Sequence, residues 1–427
     1  MARQRATRRQ ILRGAASAAA AAGLWPWALR AQAAPRVVIV GGGFAGAACA
    51  RALRSADAKL AITLVEARPT YTAPPLSNGV LGGIRDMAQQ QFGYDKIAAA
   101  GIKVAIATAT AIDAQARSVT LSTGDTLAYD RLVLAPGIEL RFDGIKGYSE
   151  PAAQQAPHAW TTDAAQYELL RRQITEMADD GVVAIVAPAN PSRCPPGPYE
   201  RASMIAHYLK THKPKAKIVI LDAKDNFTMQ PLFLDAWQKL YPDMIAWKSL
   251  SNGGNVASID VAKKSIETDF DTYEYAVANV IPPQKAGRIA GLAGVVDRTG
   301  WCPVDAVTFE SQMQKNIHVV GDAAFAGSMP KSAFSGLIEG RLCAAAIARL
   351  LAGKTPDTAP MSSNCYSIVA PGYAISITGE FHPVNGEYSE VDNSIHSSPL
   401  DAPPTLRAEE AKNADAWFRT ATSEIFG

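Results

Sequence analysis

Apolar residues follow a repeating order along the chain, in which short β-branched runs alternate with longer helix-forming stretches. The β-branched runs predict buried parallel strands at residues 36–40, 61–65, 181–186 and 218–222. Helices are predicted at residues 47–55, 200–209, 342–351 and 406–418. This alternation is typical of a three-layer α/β protein, in which helices cover both faces of parallel sheets.

The first predicted strand leads directly into a glycine-rich turn, residues 41–46 (GGGFAG), which fits the pattern G-x-G-x-x-G. Gly41 permits the tight turn, Gly43 lets the backbone approach a pyrophosphate, and Gly46 allows close contact between helix and strand. The N-terminus of the following helix faces the phosphates. Glu66 ends the second strand, 25 positions after Gly41, and can accept hydrogen bonds from an adenosine ribose. Together these features predict a dinucleotide site.

Two later segments indicate that the nucleotide is FAD. Residues 316–323 (NIHVVGDA) predict a short strand ending in Gly-Asp, and such a strand places its aspartate against the ribityl chain in flavoproteins with two dinucleotide domains. Residues 129–137 (YDRLVLAPG) are similar to the strand and turn that return those chains to the FAD domain. The predicted FAD-contacting residues are Gly41, Gly43, Phe44, Ala45, Gly46, Glu66, Ala135, Pro136, Gly137, Gly321 and Asp322.

A second α/β unit begins near residue 180 but lacks the glycines of a nucleotide-binding turn. After its first strand the chain reads APANPSRCPPGPYE (residues 187–200), with prolines where a pyridine-nucleotide site has glycines. Proline has no N–H group to donate and fixes φ, so this segment does not form a phosphate cradle. NADH and NADPH are not expected to bind there, and the reducing electrons must come from the substrate.

The N-terminus predicts an export signal. Arg8 and Arg9 precede an apolar, alanine-rich stretch (residues 15–29) and a small-x-small site (residues 31–33), the pattern of a twin-arginine signal. The alternative is a transmembrane anchor, but the apolar stretch is short and the cleavage site follows directly. No later segment is long and apolar enough for a span, so the mature protein is expected in the periplasm.

Charge and composition exclude some partners. The chain has 427 residues, 48% hydrophobic and 19% charged, which is typical of a globular protein of two or three domains. Without residues 1–33 and their six arginines, the formal net charge changes from +2 to −4. A mildly acidic chain without a basic stripe is not expected to bind nucleic acid. No metal site is expected.

Two of the five cysteines are candidates for chemistry. Cys49 and Cys343 lie in predicted helices and are interpreted as small buried residues, while Cys302 is given no role. Cys194 lies in the proline-rich loop and Cys365 before a turn-rich segment. In an oxidising compartment these two can pair. Their spacing does not decide between a reactive pair and a structural disulfide that closes a long loop.

Three motifs make the chain resemble the flavoprotein subunit of flavocytochrome c sulfide dehydrogenase, a family of the disulfide-reductase superfamily related to sulfide:quinone reductases. The motifs are residues 193–200 (RCPPGPYE), 301–305 (WCPVD) and 365–373 (CYSIVAPGY), and the likeness extends over essentially the whole chain after the signal. The resemblance implies that Cys194 and Cys365 form a redox-active disulfide over the flavin, with Cys365 nearer to it. It also implies that Glu200 handles protons beside them; the alternative for Glu200 is a solvent-facing or helix-capping carboxylate.

One segment departs from that family. Its members often carry a cysteine, covalently linked to the flavin, in the segment that corresponds to residues 71–78 (YTAPPLSN). Here Pro74 occupies the matching position. We therefore predict that FAD is bound non-covalently.

The resemblance completes the predicted organisation. The fold is predicted as two Rossmann-like domains of the dinucleotide-binding type and a smaller α+β C-terminal domain. The predicted parts are a signal (1–33), a discontinuous FAD domain (35–150 and 286–330), a second nucleotide-binding-like domain (151–285) and a C-terminal interface domain (331–427).

The resemblance also implies an activity, the oxidation of sulfide to sulfur or polysulfide with transfer of electrons through FAD to a cytochrome c. The chain has no C-x-x-C-H motif, so haem c is expected only on a partner subunit. Two alternatives stay open. One is a sulfide:quinone oxidoreductase on a membrane surface, and the other is a flavin-loaded electron-transfer or assembly subunit without sulfide chemistry.

Overall fold

The computed structural model describes residues 34–427, so the predicted signal lies outside the described residues. In the N-terminal part the strands are β1 (Arg36–Val40), β2 (Ala61–Glu66), β3 (Tyr71–Thr72), β4 (Gln91–Phe92), β5 (Lys103–Ile106), β6 (Ala109–Asp113), β7 (Ser118–Leu121), β8 (Thr126–Ala128), β9 (Arg131–Leu134) and β10 (Ile138–Leu140). The middle part contains β11 (Val182–Ala187), β12 (Lys217–Asp222), β13 (Ile245–Lys248), β14 (Val256–Asp260), β15 (Ser265–Thr268), β16 (Thr272–Glu274), β17 (Val277–Val280) and β18 (Gln284–Ala286). The last part contains β19 (Cys302–Pro303), β20 (Ile317–Val319), β21 (Ala324–Phe325), β22 (Met361–Ala370), β23 (Tyr373–Val384), β24 (Glu387–Glu390) and β25 (His396–Ser397).

The helices vary from single turns to a C-terminal helix of 23 residues. They are α1 (Phe44–Ala56), α2 (Asn78–Leu81), α3 (Asp95–Ala99), α4 (Ala164–Glu176), α5 (Gly197–His212), α6 (Gln230–Leu240), α7 (Arg288–Leu292), α8 (Ala333–Leu351) and α9 (Pro404–Phe426).

A five-stranded parallel sheet with the order β20-β9-β1-β2-β5 holds the glycine-rich turn. Strand β1 lies at its centre and pairs in parallel with β2 and β9. Val37 and Ile39 are completely buried. A strand that is covered on both faces is apolar at consecutive positions, which explains its uninterrupted β-branched run.

A second parallel sheet, with the order β13-β12-β11-β17, forms the middle of the chain. It has its own buried cluster, in which Ile185 and Ile220 contact the inner side of α5. The loop between β11 and α5 contains Cys194. The loop therefore leaves a rigid sheet and ends at the first turn of a buried helix.

The C-terminal part is an antiparallel sheet (β22-β23-β24, with β25 paired to β23) followed by α9. Strand β22, which contains Cys365, packs on both α5 and α8. The α/β class with parallel sheets is thereby confirmed. The proposed domain bounds stay a prediction, because Pro35–Gly427 form one compact unit.

Candidate functional site

A cavity of about 580 Å³ opens where the carboxyl ends of β1, β2 and β9 meet the loops before α5 and α8. Ligands of open α/β sheets bind at this edge of the sheet. Ten of the predicted FAD-contacting residues line the cavity: Gly41, Gly43, Phe44, Ala45, Glu66, Ala135, Pro136, Gly137, Gly321 and Asp322.

The glycine-rich turn has no room for side chains. Gly41 has a φ of 104°, and a Cβ atom there would lie 2.1 Å from the carbonyl oxygen of Ala135. Gly46 does not line the cavity, but a Cβ atom on it would lie 1.9 Å from the Gly41 oxygen. The close helix–strand contact expected of this glycine is therefore present.

Glu66 fixes the turn from the end of β2. Its carboxylate accepts a hydrogen bond from the backbone N–H of Gly42 at 2.7 Å and another from that of Arg68 at 3.3 Å. Both donors belong to segments that border the cavity. The carboxylate thus lies where the ribose of a dinucleotide is expected.

The Gly-Asp turn after β20 is held by two charged residues, the buried Glu339 and the half-buried Lys331. Gly321, with a φ of 75°, donates its N–H to Glu339 at 2.6 Å. Lys331 donates to the backbone oxygens of Asp322 (2.9 Å) and Ala324 (2.6 Å). Burial raises the pKa of Asp322 and raises that of Glu339 to about 7. The Asp322 side chain itself faces the cavity.

These features fit FAD. The turn gives phosphates access to backbone N–H groups, and Asp322 offers a half-buried acceptor to ribityl hydroxyls. Two further polar atoms in cavity-lining residues, Nε1 of Trp160 and Oδ1 of Asn364, are buried without a hydrogen-bond partner among the described residues. Unpaired buried polar atoms are costly, and a polar cofactor ring supplies partners for them.

Cys194 and Cys365 come together in the wall of this cavity. Cys194 has a φ of 51°, and its N–H donates to the Lys331 oxygen at 2.8 Å. Cys365 pairs with Ile377 in the hairpin of β22 and β23. Both are free cysteines, and the two side chains are close enough for each to shift the pKa of the other. Two sulfurs 171 positions apart in the sequence are thus neighbours.

The two thiols differ in acidity. The hydrogen bond from Cys365, together with the guanidinium groups of Arg193 and Arg201, lowers the pKa of Cys194 against the effect of burial. The same hydrogen bond and burial raise the pKa of Cys365 far above its usual value. The dithiol therefore ionises at Cys194 while Cys365 retains its proton.

Glu200 lies in the first turn of α5 and is only 6% exposed. Burial, and then the nearby Cys194, raises its pKa to about 8. Hydrogen bonds from the Ile368 backbone and the Asn78 side chain oppose this rise. A buried carboxyl that exchanges its proton near neutral pH is suited to general acid–base chemistry. The alternative of a solvent-facing carboxylate at Glu200 is therefore not what the structure contains.

Three residues beside Cys194 have no assigned role in the sequence analysis. Arg193 and Arg201 flank the cysteine and Glu200 in the RCPPGPYER run, so their proximity was readable from the sequence. Trp160 comes from a separate segment, and both guanidinium groups lie over its ring, at 5.6 and 4.8 Å from the centroid. No local pattern could have predicted its position.

The remaining cysteines lie away from the cavity. Cys49 and Cys343 are completely buried and hydrogen-bonded to each other between α1 and α8. Cys302 is also buried, and burial raises its pKa to about 12. Pro74 lines the cavity, and among the described residues the only cysteines that do so are Cys194 and Cys365.

The second α/β unit offers no free ribose acceptor at the end of β12. The carboxylate of Asp222 is completely buried and accepts hydrogen bonds from Tyr199 (2.5 Å), Trp247 (2.9 Å) and Lys224 (2.6 Å). This position holds the nucleotide ribose in NAD sites. The absence of NADH binding stays a prediction, and the hydrogen bonds that already occupy Asp222 give a second physical reason for it.

Within residues 34–427 no helix combines the length and apolar character needed to cross a bilayer.

Sequence comparisons match the chain to three family models. Residues 167–282 match the central part of the sulfide dehydrogenase [flavocytochrome c] flavoprotein chain, and residues 357–426 match the flavin-binding part of flavocytochrome c sulphide dehydrogenase. Residues 35–184 match pyridine nucleotide-disulphide oxidoreductases. The matches agree with FAD as the cofactor, so the chain is a flavoprotein.

Solved structures and other relatives extend the comparison. The sulfide:quinone oxidoreductase of Aquifex aeolicus superposes with a TM-score of 0.72 at 18% identity, covering 92% of both chains, which shows the shared fold. A sulfide-quinone reductase sequence from Aquifex aeolicus is 30% identical over 56% of this chain and 54% of its own length. The mitochondrial sulfide:quinone oxidoreductase of Mus musculus is 22% identical over 72% of this chain and 70% of its own length.

The sulfide dehydrogenase [flavocytochrome c] flavoprotein chain of Chlorobaculum thiosulfatiphilum is 49% identical over 45 residues, which are 10% of this chain and 94% of that sequence. With the two matching family models, this likeness confirms the resemblance inferred from the motifs. The chain belongs to the family of flavocytochrome c sulfide dehydrogenase flavoprotein chains.

Proposed function

We propose that the chain is the catalytic flavoprotein of a periplasmic sulfide dehydrogenase, in which Cys194 and Cys365 alternate between a disulfide and a dithiol. The observation that carries this proposal is the contact of the two thiols in the wall of the flavin cavity, beside the buried Glu200. The names of the relatives, which include sulfide dehydrogenase and sulfide:quinone oxidoreductase, support sulfide as the substrate.

In the proposed reaction, hydrosulfide attacks Sγ of Cys194 in the disulfide. A new S–S bond forms, the Cys194–Cys365 bond breaks, and Cys365 leaves as a thiolate that keeps the bonding electron pair. Glu200 in its ionised form takes the proton from the bound sulfur. When bound, FAD would accept one electron pair per turnover from the two cysteines and pass the electrons on one at a time.

A second hydrosulfide releases the product. It attacks the outer sulfur of the Cys194 persulfide, and Cys194 leaves as a thiolate. The disulfide then re-forms as the two cysteines give up an electron pair. In sum, two HS⁻ ions become HSS⁻ with the release of one proton and two electrons, which FAD would accept when bound.

We infer that the electron acceptor is a cytochrome c on a separate chain. The chain has no C-x-x-C-H motif, and the name of its family includes a flavocytochrome c. The rival acceptor, a membrane quinone, requires an apolar docking face. Helix α9 instead exposes Glu409, Lys412 and Arg419, which argues against such a face there. The twin-arginine segment at Arg8 and Arg9 supports a periplasmic location.

Anaerobic addition of sulfide to the FAD-loaded protein tests the activity. We expect the visible flavin band to bleach in the wild type and Cys365→Ser to slow this by about three orders of magnitude, because without Cys365 there is no disulfide for hydrosulfide to attack. Cys302→Ala, at a cysteine outside the cavity, is the matched control and retains the wild-type rate. Absence of bleaching in the wild type would favour a non-catalytic electron-transfer subunit.

Reoxidation of the bleached protein tests the acceptor. We expect a c-type cytochrome to restore the flavin spectrum and a short-chain ubiquinone to have little effect. Faster reoxidation by the quinone would identify the chain as a quinone-reducing enzyme instead. Haem staining of proteins that copurify from the periplasm provides the independent check.

A further inference from the structure

The space in front of Cys194 is unusually rich in positive charge. Arg193 precedes the cysteine in the sequence, and Arg201 reaches the same cavity from the second turn of α5. The two side chains are 9% and 1% exposed. Neither makes an ion pair within 4.0 Å with any acid among residues 34–427. The two guanidinium groups have no carboxylate paired with them and lower the pKa of Cys194, while Asp322 in the same cavity has the opposite effect.

Arg201 is hydrogen-bonded, but only to neutral groups. It donates to the side-chain oxygens of Asn78 (3.0 Å) and Asn279 (3.0 Å) and to the backbone oxygens of His158 (3.0 Å) and Ala159 (2.7 Å). These bonds satisfy the N–H donors of Arg201 but do not neutralise its charge. The neighbouring acid, Glu200, is protonated in most molecules at neutral pH because burial raises its pKa to about 8.

Arg193 has no side-chain hydrogen bond within the described residues. Its backbone N–H donates to Gln284 at 2.8 Å, which fixes the loop but not the guanidinium. The guanidinium lies over Trp160 and lines the cavity, so its N–H groups are available to a ligand there.

Trp160 contributes an unpaired donor to the same place. The residue is 5% exposed, and its Nε1–H has no partner among the described residues. A Cβ atom on Gly197 would lie 2.4 Å from the ring edge of Trp160 and 3.1 Å from Sγ of Cys194. The ring and the sulfur are therefore neighbours, and glycine at 197 keeps the space between them open.

We propose that Arg193, Arg201 and the indole N–H of Trp160 form an anion subsite at Cys194, which binds the substrate as the hydrosulfide ion and then holds the anionic end of the Cys194 persulfide. This inference rests on the proposed function, since it assigns the substrate's charge state and place of attack. The attraction raises the local concentration of HS⁻ relative to neutral H₂S. It also directs attack to the sulfur of Cys194 and not to that of Cys365.

The charge at Cys194 can be measured without any sulfide. In FAD-loaded Cys365→Ser protein, Cys194 is the one cysteine that is not completely buried, because Cys49, Cys302 and Cys343 are 0% exposed. Iodoacetate and iodoacetamide are similar in size, and only the first is an anion. The ratio of their alkylation rates at Cys194 therefore reports the electrostatic potential at the sulfur.

We expect this ratio to exceed that of free cysteine, and Arg193→Met to lower it about three- to tenfold, the effect of one partly screened charge nearby. Arg193→Lys keeps the charge and restores most of the ratio. Arg172→Gln removes an exposed arginine that lies away from the cavity and leaves the ratio unchanged. A ratio in the Cys365→Ser protein equal to that of free cysteine, or one insensitive to Arg193→Met, would overturn the subsite.

The Arg193 variants, made in protein that retains Cys365, separate this inference from the proposed function. Arg193→Met is expected to raise the sulfide concentration that half-saturates flavin bleaching more than it lowers the maximal rate. If sulfide bleaches the flavin but the alkylation ratio does not change when Arg193 loses its charge, the subsite alone is refuted. If the alkylation ratio falls in Arg193→Met but sulfide does not bleach the flavin, the anion site is retained and sulfide oxidation is refuted.

Discussion

At the scale of single residues, the site depends on side chains whose ionisation is changed by burial. Glu200 is an acid whose proton is retained near neutral pH, and Cys194 is a thiol that ionises readily beside Cys365, which does not. Adjacent groups whose pKa values are driven apart are a common basis for acid–base assignments. The different acidities of the two sulfurs in the dithiol follow from their different environments.

Glu200 predicts a pH dependence. Because its pKa is raised to about 8, its ionised fraction rises from about a tenth at pH 7 to about nine-tenths at pH 9. The rate of flavin reduction per concentration of HS⁻ should therefore rise about tenfold over this range. Glu200→Gln should be slow and nearly independent of pH, while Glu200→Asp should keep a pH-dependent rise. Stopped-flow reduction across this range checks it, and an unchanged profile in Glu200→Gln would exclude this role.

At the scale of elements, the sequence pattern predicted the bounds of those strands and helices that are set by burial of their own residues. Strand β1 begins and ends where the β-branched run does, since burial on both faces selects that run. The predicted C-terminal helix stopped at residue 418, but α9 continues to Phe426. Its last turn is stabilised by distant aromatic rings, such as Phe92, which stacks on Phe426 at 5.1 Å. The position of Trp160 beside Cys194 has the same non-local origin.

The contact between α1 and α8 is the tightest helix packing at the FAD site. A Cβ atom on Gly340 of α8 would lie 2.2 Å from the backbone oxygen of Ala45 in α1. Ala45 also lines the cavity, so the clash would displace the helix that faces the phosphates. We predict that Gly340→Ala lowers the free energy of unfolding by about 1–3 kcal/mol and weakens FAD binding.

Gly291→Ala is the matched control for that change. Gly291 also lies in a helix, and a Cβ atom there has no neighbour within 4 Å. Alanine is favoured over glycine inside a helix by about 1 kcal/mol, so the control should be neutral or stabilising. Denaturant unfolding and FAD titration measure both variants. Equal stability of the two would show that α8 can move away from α1 without cost.

At the scale of the whole molecule, the cavity is complete only when three distant parts of the chain meet. The N-terminal sheet contributes the glycine-rich turn, the middle sheet contributes Cys194 and Glu200, and the C-terminal hairpin contributes Cys365. The sequence predicted each part, because each has a local motif. Their juxtaposition comes from the packing of α5 against β22 and could not be read from any one segment.

The non-covalent binding of FAD also depends on the whole molecule. Pro74 borders the cavity at the position where the family resemblance implies a linking cysteine, and neither Cys194 nor Cys365 is free for a permanent bond if both take part in turnover. Binding must then rest on the glycine-rich turn, the Gly-Asp turn and the surrounding cavity wall, which exist only in the folded state. We predict that denaturation releases all flavin into the soluble fraction and leaves no fluorescent band on a denaturing gel. Refolding with added FAD should restore the visible spectrum, whereas flavin that stays with the denatured polypeptide would show a covalent link at another residue.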